Sequence, residues 1–174
     1  AAVMIARARE TGVAEVVEDS SGNAGAAVAA YCARAGLACR IFVPADTSPS
    51  KLAQIELYGA QLVKVPGSRG DTAAAVLEAA RETFYASHSY NPWFFHGVKT
   101  WAYEVAEQLG WEAPDAVVLP AGNGTLLLGA HLGFRELAGS GIIPAAPKLV
   151  AVQTAGCAPL HRAFEQGLDE PVAV

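Results

Sequence analysis

The chain has 174 residues, of which 52% are hydrophobic and 17% are charged, and its formal net charge is −5. This length suffices for one α/β domain, or for one small domain and part of a second. The acidic balance and the lack of a cluster rich in Lys and Arg argue against a nucleic-acid partner. The sequence also contains no apolar run of about 18 residues of the kind that predicts a membrane-spanning helix.

Short β-branched runs alternate along the chain with longer segments of helical period. The N-terminal residues predict a helix, since Val3, Met4 and Ala8 stand at helical spacing. Strands are predicted at 13–17, 40–43, 61–65, 116–119 and 149–152, and further helices at 23–35, 49–58, 71–83, 95–109 and 125–137. This alternation is typical of βαβ crossovers, so it predicts an α/β fold in three layers, with parallel sheets and helices on both faces.

Glycine and proline mark the ends of several predicted helices. Gly36, Gly59 and Gly110 each follow a helical segment, where a left-handed C-cap is expected. Ser48-Pro49 predicts an N-cap followed by proline at the first helical position. The irregular segment 85–100 interrupts the alternation, and we expect a boundary there between one lobe at 1–90 and another at 91–174.

The cysteines and histidines do not form a metal-binding pattern. Cys32, Cys39 and Cys157 are widely spaced, which predicts buried structural thiols in a reducing cytoplasm. His88, His96, His131 and His161 also lack the spacing of metal ligands. The sequence therefore predicts no metal site.

Two loops with similar chemistry each connect a predicted strand to a predicted helix. The first is Ser20-Ser21-Gly22-Asn23 and the second is Ala121-Gly122-Asn123-Gly124-Thr125. Each places backbone N–H groups at a helix N-terminus, which can bind a phosphate or a carboxylate without a lysine. Ordinary helix capping and a common Gly-Asn turn are the structural alternatives. Neither loop has the GxGxxG or GxxxxGK[ST] pattern of dinucleotide-binding or P-loop proteins.

Several motifs occur in a characteristic order: SSGNAG, VPADTSPSKLAQIELYGAQLVKV, NPWFFHGVKTWAYEVAEQLG, PDAVVLPAGNGTLLLG and VAVQTAGCAPL. Together they resemble threonine synthase, in the tryptophan-synthase-β-like (fold type II) group of pyridoxal-phosphate enzymes. The resemblance extends over nearly the whole chain. It implies an incomplete version of that architecture, with 1–90 as a small mobile lobe and 91–174 as part of the large cofactor lobe.

The resemblance also implies roles for both loops. Asn23 would lie against the pyridoxal ring and hydrogen-bond its 3-oxygen. The substrate carboxylate would be bound by Ser20, Ser21 and Gly22. The phosphate of pyridoxal 5'-phosphate would be bound by Gly122, Asn123, Gly124, Thr125 and Leu126.

The implied activity is that of a lyase in amino-acid biosynthesis. It would convert O-phospho-L-homoserine and water to L-threonine and phosphate, in the cytoplasm and as a homodimer when full length. A threonine/serine dehydratase or a related ammonia-lyase of the same fold is the alternative enzyme. A non-catalytic anion-binding α/β module is the alternative of another class.

The sequence departs from the family in three places. The family's Schiff-base lysine stands in a segment like S-x-K-D-R-G, which this chain lacks and which we expect upstream of Ala1. A protein limited to these residues is therefore expected to be inactive. Glu18-Asp19 replaces small apolar residues beside the proposed carboxylate site. Thr125-Leu126 follows Gly-Asn-Gly where many threonine synthases have a second glycine and an asparagine.

Overall fold

The computed structural model describes residues 1–172. The chain divides into two units, Ala1–Gly97 and a second unit that begins at Val98. Within the described residues, no helix combines the length and the apolar character that crossing a membrane requires.

The first unit alternates helices with the strands of one parallel sheet. Its elements are α1 (Ala2–Glu10), β1 (Glu15–Glu18), α2 (Asn23–Ala35), β2 (Ala38–Pro44), α3 (Pro49–Leu57), β3 (Gln61–Val65), α4 (Arg69–Ala79) and β4 (Phe84–Tyr85). Helix α5 (Pro92–Val98) follows, and only its last residue falls in the second unit. The strand order is β3-β2-β1-β4, and all three pairings are parallel. The carboxyl ends of the strands therefore share one edge, which is where open α/β sheets bind ligands.

The two faces of this sheet are covered by different helices. On one face Val16 and Ile41 belong to a buried cluster with Met4 of α1 and Val28 of α2. Their sequence neighbours in the strands point the other way: Val17 and Phe42 form a cluster with Val76 of α4. Because side chains alternate across a strand, consecutive apolar residues serve both layers.

The second unit contains a two-stranded parallel sheet with its own core. Its elements are α6 (Thr100–Gln108), β5 (Ala116–Pro120), α7 (Thr125–Gly139), β6 (Lys148–Val152) and α8 (Pro159–Gln166). Strands β5 and β6 pair from Ala116↔Lys148 to Pro120↔Val152. Ala102 and Ala106 of α6 and Phe134 and Leu137 of α7 form the buried centre of this unit.

The predicted α/β class and the parallel pairing are confirmed, and helix 23–35 and strand 61–65 have the predicted bounds. The expected left-handed glycines are also present, at Gly36, Gly59 and Gly110. The prediction missed β4, which is only two residues long, and α8. It also joined α5 and α6 into one helix, although α5 ends at Val98 and α6 begins at Thr100.

The prediction of buried thiols holds for two of the three cysteines. Cys32 and Cys39 lie in the core of the first unit. The prediction is wrong for Cys157, which is exposed. This residue lies in a short turn closed by a bridge to Thr154, between β6 and α8, and not in the core of either unit.

Candidate functional site

The β1–α2 loop occupies the four residues between the end of β1 at Glu18 and the start of α2 at Asn23. Gly22 is the N-cap residue, in an extended conformation, and it makes no side-chain capping bond. The Ser20 hydroxyl oxygen accepts a hydrogen bond from the Gly22 N–H at 3.3 Å instead. A side-chain cap on α2 is therefore not formed. Gly22 and Asn23 are exposed, so the start of α2 is open to a ligand.

Gly25 allows α2 to pack closely against the backbone of this loop, a role that the sequence analysis missed. It is buried in the first turn of α2. A Cβ at this position would overlap the Ser20 carbonyl oxygen and approach Ile55 Cδ1 to 3.3 Å. The absence of a side chain thus lets the helix start pack directly on the loop backbone. The available signal was the second glycine of S-S-G-N-A-G.

Glu18 and Asp19, immediately before this loop, are both buried and both paired. Glu18 Oε1 lies 2.6 Å from Nδ1 of His88, in the segment after β4. Asp19 accepts a hydrogen bond at 2.7 Å from the Arg69 guanidinium at the start of α4 and another at 2.7 Å from the Tyr85 hydroxyl. Glu18 Oε2 has no hydrogen-bond partner within the described part of the chain. We call these five residues the β1-end network.

Burial and pairing shift the ionisation of this network. Burial raises the pKa of the Glu18 carboxyl, although the hydrogen bond with His88 opposes that effect. The same hydrogen bond raises the pKa of His88 against the opposing effect of burial. Burial and the bond to Asp19 also raise the pKa of Tyr85. The Glu18–His88 pair therefore retains a proton to higher pH than a free histidine would.

Ligand atoms of Glu18, Asp19 and His88 lie within 4.8 Å of one another. Each of these side chains already has a protein partner. The Arg69 cation on Asp19 would repel a metal ion bound to the same carboxylate. The arrangement is that of a salt-bridged network, in which the acids are compensated by basic side chains.

The β5–α7 loop begins its helix differently. Gly124 is the N-cap of α7, with φ 81° and ψ −3°, a left-handed conformation that favours glycine. Asn123 Oδ1 accepts hydrogen bonds from the Thr125 N–H at 3.2 Å and from the Thr125 hydroxyl at 3.0 Å. A Cβ at Gly122 or at Gly124 would meet no atom within 4 Å. The space above the loop backbone is therefore open on this unit.

Gln153 holds this loop in place, and the sequence analysis missed it. Its Nε2 donates to the Ala121 carbonyl at 3.0 Å. Its Oε1 accepts from the N–H groups of Leu160 and His161, at 2.9 and 3.1 Å, in the first turn of α8. A single amide side chain thus links the end of β6, the glycine loop and α8. A polar residue directly after the β6 pattern was the only signal.

None of the four lysines of the chain belongs to either loop. Lys99 Nζ donates to both carboxylate oxygens of Glu136 at 2.7 Å, and the Tyr103 hydroxyl also donates to Glu136. This cluster joins α6 to α7, which favours a structural role for Lys99. Lys51, Lys64 and Lys148 are exposed.

Comparison with known proteins identifies the family. The family model described as pyridoxal-phosphate dependent enzyme matches residues 1–174. The chain belongs to this family. The resemblance noted from the motifs is thereby confirmed, and the family's cofactor is pyridoxal phosphate.

Curated relatives of the chain are named threonine synthase. The protein from Methanocaldococcus jannaschii is 38% identical over 94% of this chain and 41% of its own length. The protein from Halalkalibacterium halodurans is 33% identical over 98% of this chain and 48% of its own length. The chain thus spans less than half the length of these relatives.

Solved structures confirm the fold. A pyridoxal 5'-phosphate-dependent aspartate racemase has a TM-score of 0.80 and 26% identity over 95% of this chain and 49% of its own. The processed form of threonine deaminase isoform 2 from Solanum lycopersicum has a TM-score of 0.79 and 21% identity over 96% of this chain and 47% of its own. Both are fold type II enzymes, the architecture expected from the motifs.

The residues of the β5–α7 loop fit the phosphate group of the family's cofactor. The loop ends at the N-terminus of a 15-residue helix, where backbone N–H groups and the helix dipole favour an anion. The open space above Gly122 and Gly124 allows a ligand to approach the backbone closely. The Thr125 hydroxyl already donates to Asn123, so its hydrogen is engaged within the loop itself.

Proposed function

We propose that this chain is part of a pyridoxal-phosphate-dependent lyase of the threonine synthase type. The reaction would convert O-phospho-L-homoserine and water to L-threonine and phosphate. The observation that supports this particular reaction is the 38% identity to a threonine synthase over 94% of the chain. The cofactor, when bound, supplies an electron sink for charge that develops at the substrate's α-carbon.

The chain's own residues would bind and orient the two reactants. The β1–α2 loop (Ser20, Ser21 and Gly22) would bind the substrate carboxylate with backbone N–H groups, and Asn23 would orient the cofactor ring. Residues 122–126 of the β5–α7 loop would bind the cofactor phosphate. Both loops follow the carboxyl end of a parallel strand and begin a helix, which is the usual ligand position in such sheets.

The intact enzyme would contain further parts that its activity requires. None of the four lysines stands in a segment like S-x-K-D-R-G, so the cofactor-binding lysine would lie outside these residues. Residues 1–90 would belong to a small mobile lobe and residues 91–174 to the large cofactor lobe. The intact enzyme would be a cytoplasmic homodimer acting in threonine biosynthesis.

The reaction can be tested on the intact protein that contains this chain. Cofactor absorbance shows whether pyridoxal phosphate binds, and phosphate release from O-phospho-L-homoserine with formation of L-threonine tests the reaction. Phosphate release would support threonine synthase activity. A bound cofactor with no phosphate release, and a ketoacid formed from L-threonine, would instead identify a dehydratase. Lack of cofactor binding would favour the non-catalytic anion-binding module.

A matched pair of variants tests the role of Asn23. Asn23→Ala removes a hydrogen bond to a bound cofactor, so kcat/KM should fall by roughly ten- to a hundredfold. Gln108→Ala removes another exposed amide, at the end of α6, and should leave kcat/KM unchanged. An equal effect of both substitutions would contradict a ring-orienting role.

A further inference from the structure

Two buried carboxylates immediately precede the proposed carboxylate-binding loop. Glu18 is 0% exposed and Asp19 is 4% exposed. Consecutive Cα atoms are about 3.8 Å apart, so the Cα atoms of Asp19 and Ser21 are at most about 8 Å apart. At that range, an uncompensated carboxylate would repel an anionic ligand on the loop.

Arg69 compensates the charge of Asp19. Its Nη2 lies 2.7 Å from Asp19 Oδ2, and the Arg69 side chain is 55% exposed while that of Asp19 is 6% exposed. Arg69 is the first residue of α4, and the preceding turn is fixed by a capping box between Ser68 and Asp71. The guanidinium is therefore held at the end of β1 by the start of a neighbouring helix.

We propose that Arg69 is a positioning residue for substrate, which sets the loop's affinity for the substrate carboxylate by neutralising Asp19. The inference rests on the proposed function, because it assumes that Ser20, Ser21 and Gly22 bind a carboxylate. Arg69 acts through Asp19 and does not touch the ligand. The Tyr85 hydroxyl, which also donates to Asp19, orients the carboxylate but adds no positive charge.

A direct contact between Arg69 and the ligand makes a different prediction. In that case the loss of Arg69 would weaken binding whatever the charge at position 19. If charge compensation is the role, removing both charges restores binding. A double-mutant cycle over these two positions separates the two roles.

The experiment uses the intact protein with its cofactor and measures the dissociation constant of L-threonine by titration calorimetry. Arg69→Gln should raise that constant roughly tenfold, since it leaves the Asp19 charge uncompensated near the carboxylate. Asp19→Asn alone should not weaken binding. Arg69→Gln combined with Asp19→Asn should return the constant to within about twofold of the wild type. Arg81→Gln, which removes an exposed arginine paired only with Glu78 among the described residues, is the control and should have no effect.

Three other outcomes would overturn the inference, and a fourth would contradict the proposed reaction instead. A double variant as weak as Arg69→Gln would show that Arg69 contacts the ligand or holds the loop by itself. Weaker binding by Asp19→Asn alone would show that the carboxylate is needed for the loop's structure. A wild type that binds L-threonine but releases no phosphate from O-phospho-L-homoserine would contradict the proposed reaction while the cycle still tests Arg69. If the wild type binds no L-threonine, that result would contradict both the proposed carboxylate site and the proposed role of Arg69.

Discussion

The β1–α2 loop and the β5–α7 loop have similar sequences but are held by different interactions. Charged side chains distant in sequence surround the end of β1, where Asp19 and Glu18 pair with Arg69 and His88. The β5–α7 loop is held by neutral hydrogen bonds from Gln153 to backbone groups. The two loops, both of which we propose to bind anions, therefore differ in how far their properties depend on charge and pH.

The different supports of the two loops agree with the ligands that we propose for them, a phosphate for the β5–α7 loop and a carboxylate for the β1–α2 loop. The β5–α7 loop starts its helix with a left-handed glycine, and its support carries no charge that a phosphate would feel. The β1–α2 loop lies beside two buried acids, so the affinity we propose for it towards an anion would depend on the pairing of those acids. We therefore expect substitutions of the charged groups beside the first loop to act through electrostatics. Substitutions of Gln153 and the glycines of the second loop should act through neutral hydrogen bonds and backbone geometry.

Gly25→Ala should lower the stability of the protein more than any other substitution that we propose, because it disrupts the packing of α2 against the β1–α2 loop. The added Cβ overlaps the Ser20 carbonyl, which is backbone and cannot rotate away. We expect the free energy of unfolding to fall by about 3 kcal/mol, together with weaker substrate binding. Urea denaturation measures the first effect and L-threonine titration the second.

Gly70→Ala is the matched control for this change. Gly70 lies in α4, and a Cβ there would be an ordinary 3.4 Å from the Ser68 hydroxyl. Alanine should leave stability unchanged or raise it by about 0.5 kcal/mol. Equal losses in the two variants would mean that the close approach of α2 to the loop is unimportant.

His88→Ala should lower stability by about 2–3 kcal/mol at pH 7, since it leaves the buried Glu18 carboxyl without its partner. The loss should shrink in acid, where Glu18 takes up a proton. Glu18→Gln in the same chain should recover much of the stability, because the uncompensated charge is removed. Denaturant unfolding of the wild type and both variants tests this, and an undiminished loss at low pH would contradict the pairing.

The pH dependence of the wild type follows from the same pair. Both pKa values are raised in the folded state, so folding retains protons that the unfolded chain releases. The Glu18 part of the pair's contribution is lost as the pH rises from the unfolded pKa of a glutamate, about 4.3, through the higher folded pKa. The His88 part is fully present below the unfolded pKa of histidine, about 6.5. It is lost as the pH rises through the higher pKa of folded His88. The stability difference between the wild type and a Glu18→Gln, His88→Gln double variant should therefore decrease as the pH rises above about 6.5.

Gln153→Met should act on the second loop and cost about 2 kcal/mol, because three backbone groups lose a hydrogen-bond partner. Unlike the loss in His88→Ala, this loss should not vary between pH 5 and pH 8. Gln108→Met, at an exposed position at the end of α6, serves as the control and should have little effect. A strong pH dependence in Gln153→Met would contradict the contrast between the two loops.

Gly124→Ala should have a smaller effect on stability, about 1 kcal/mol, from the cost of a left-handed conformation with a side chain. Gly122→Ala should leave stability unchanged, since a Cβ there meets no atom within 4 Å. If the loop binds the cofactor phosphate closely, Gly122→Ala should still weaken pyridoxal-phosphate binding. Cofactor titration of both variants tests this, and unchanged affinity in Gly122→Ala would contradict a close approach.

The sequence by itself determined the features that depend on neighbouring residues. Strand–helix alternation predicted the parallel α/β class, and the bounds of α2 and β3 were correct. Glycine and Ser-Pro signals located helix ends such as Gly36 and Ser48. The motifs also led to the family that the whole chain matches. Short-range backbone preferences and side-chain periodicity were enough for these conclusions.

Only the tertiary structure decided how the two loops are supported. The partner of Glu18 is 70 residues away, that of Asp19 is 50 residues away, and Gln153 reaches Ala121 across 32 residues. Within the first sheet the strand order β3-β2-β1-β4 brings distant segments to the end of β1. Within the second sheet the pairing of β5 with β6 brings Gln153 to the β5–α7 loop. Local patterns do not specify strand order, so the sequence showed two acids beside a proposed anion site without showing which side chains neutralise them.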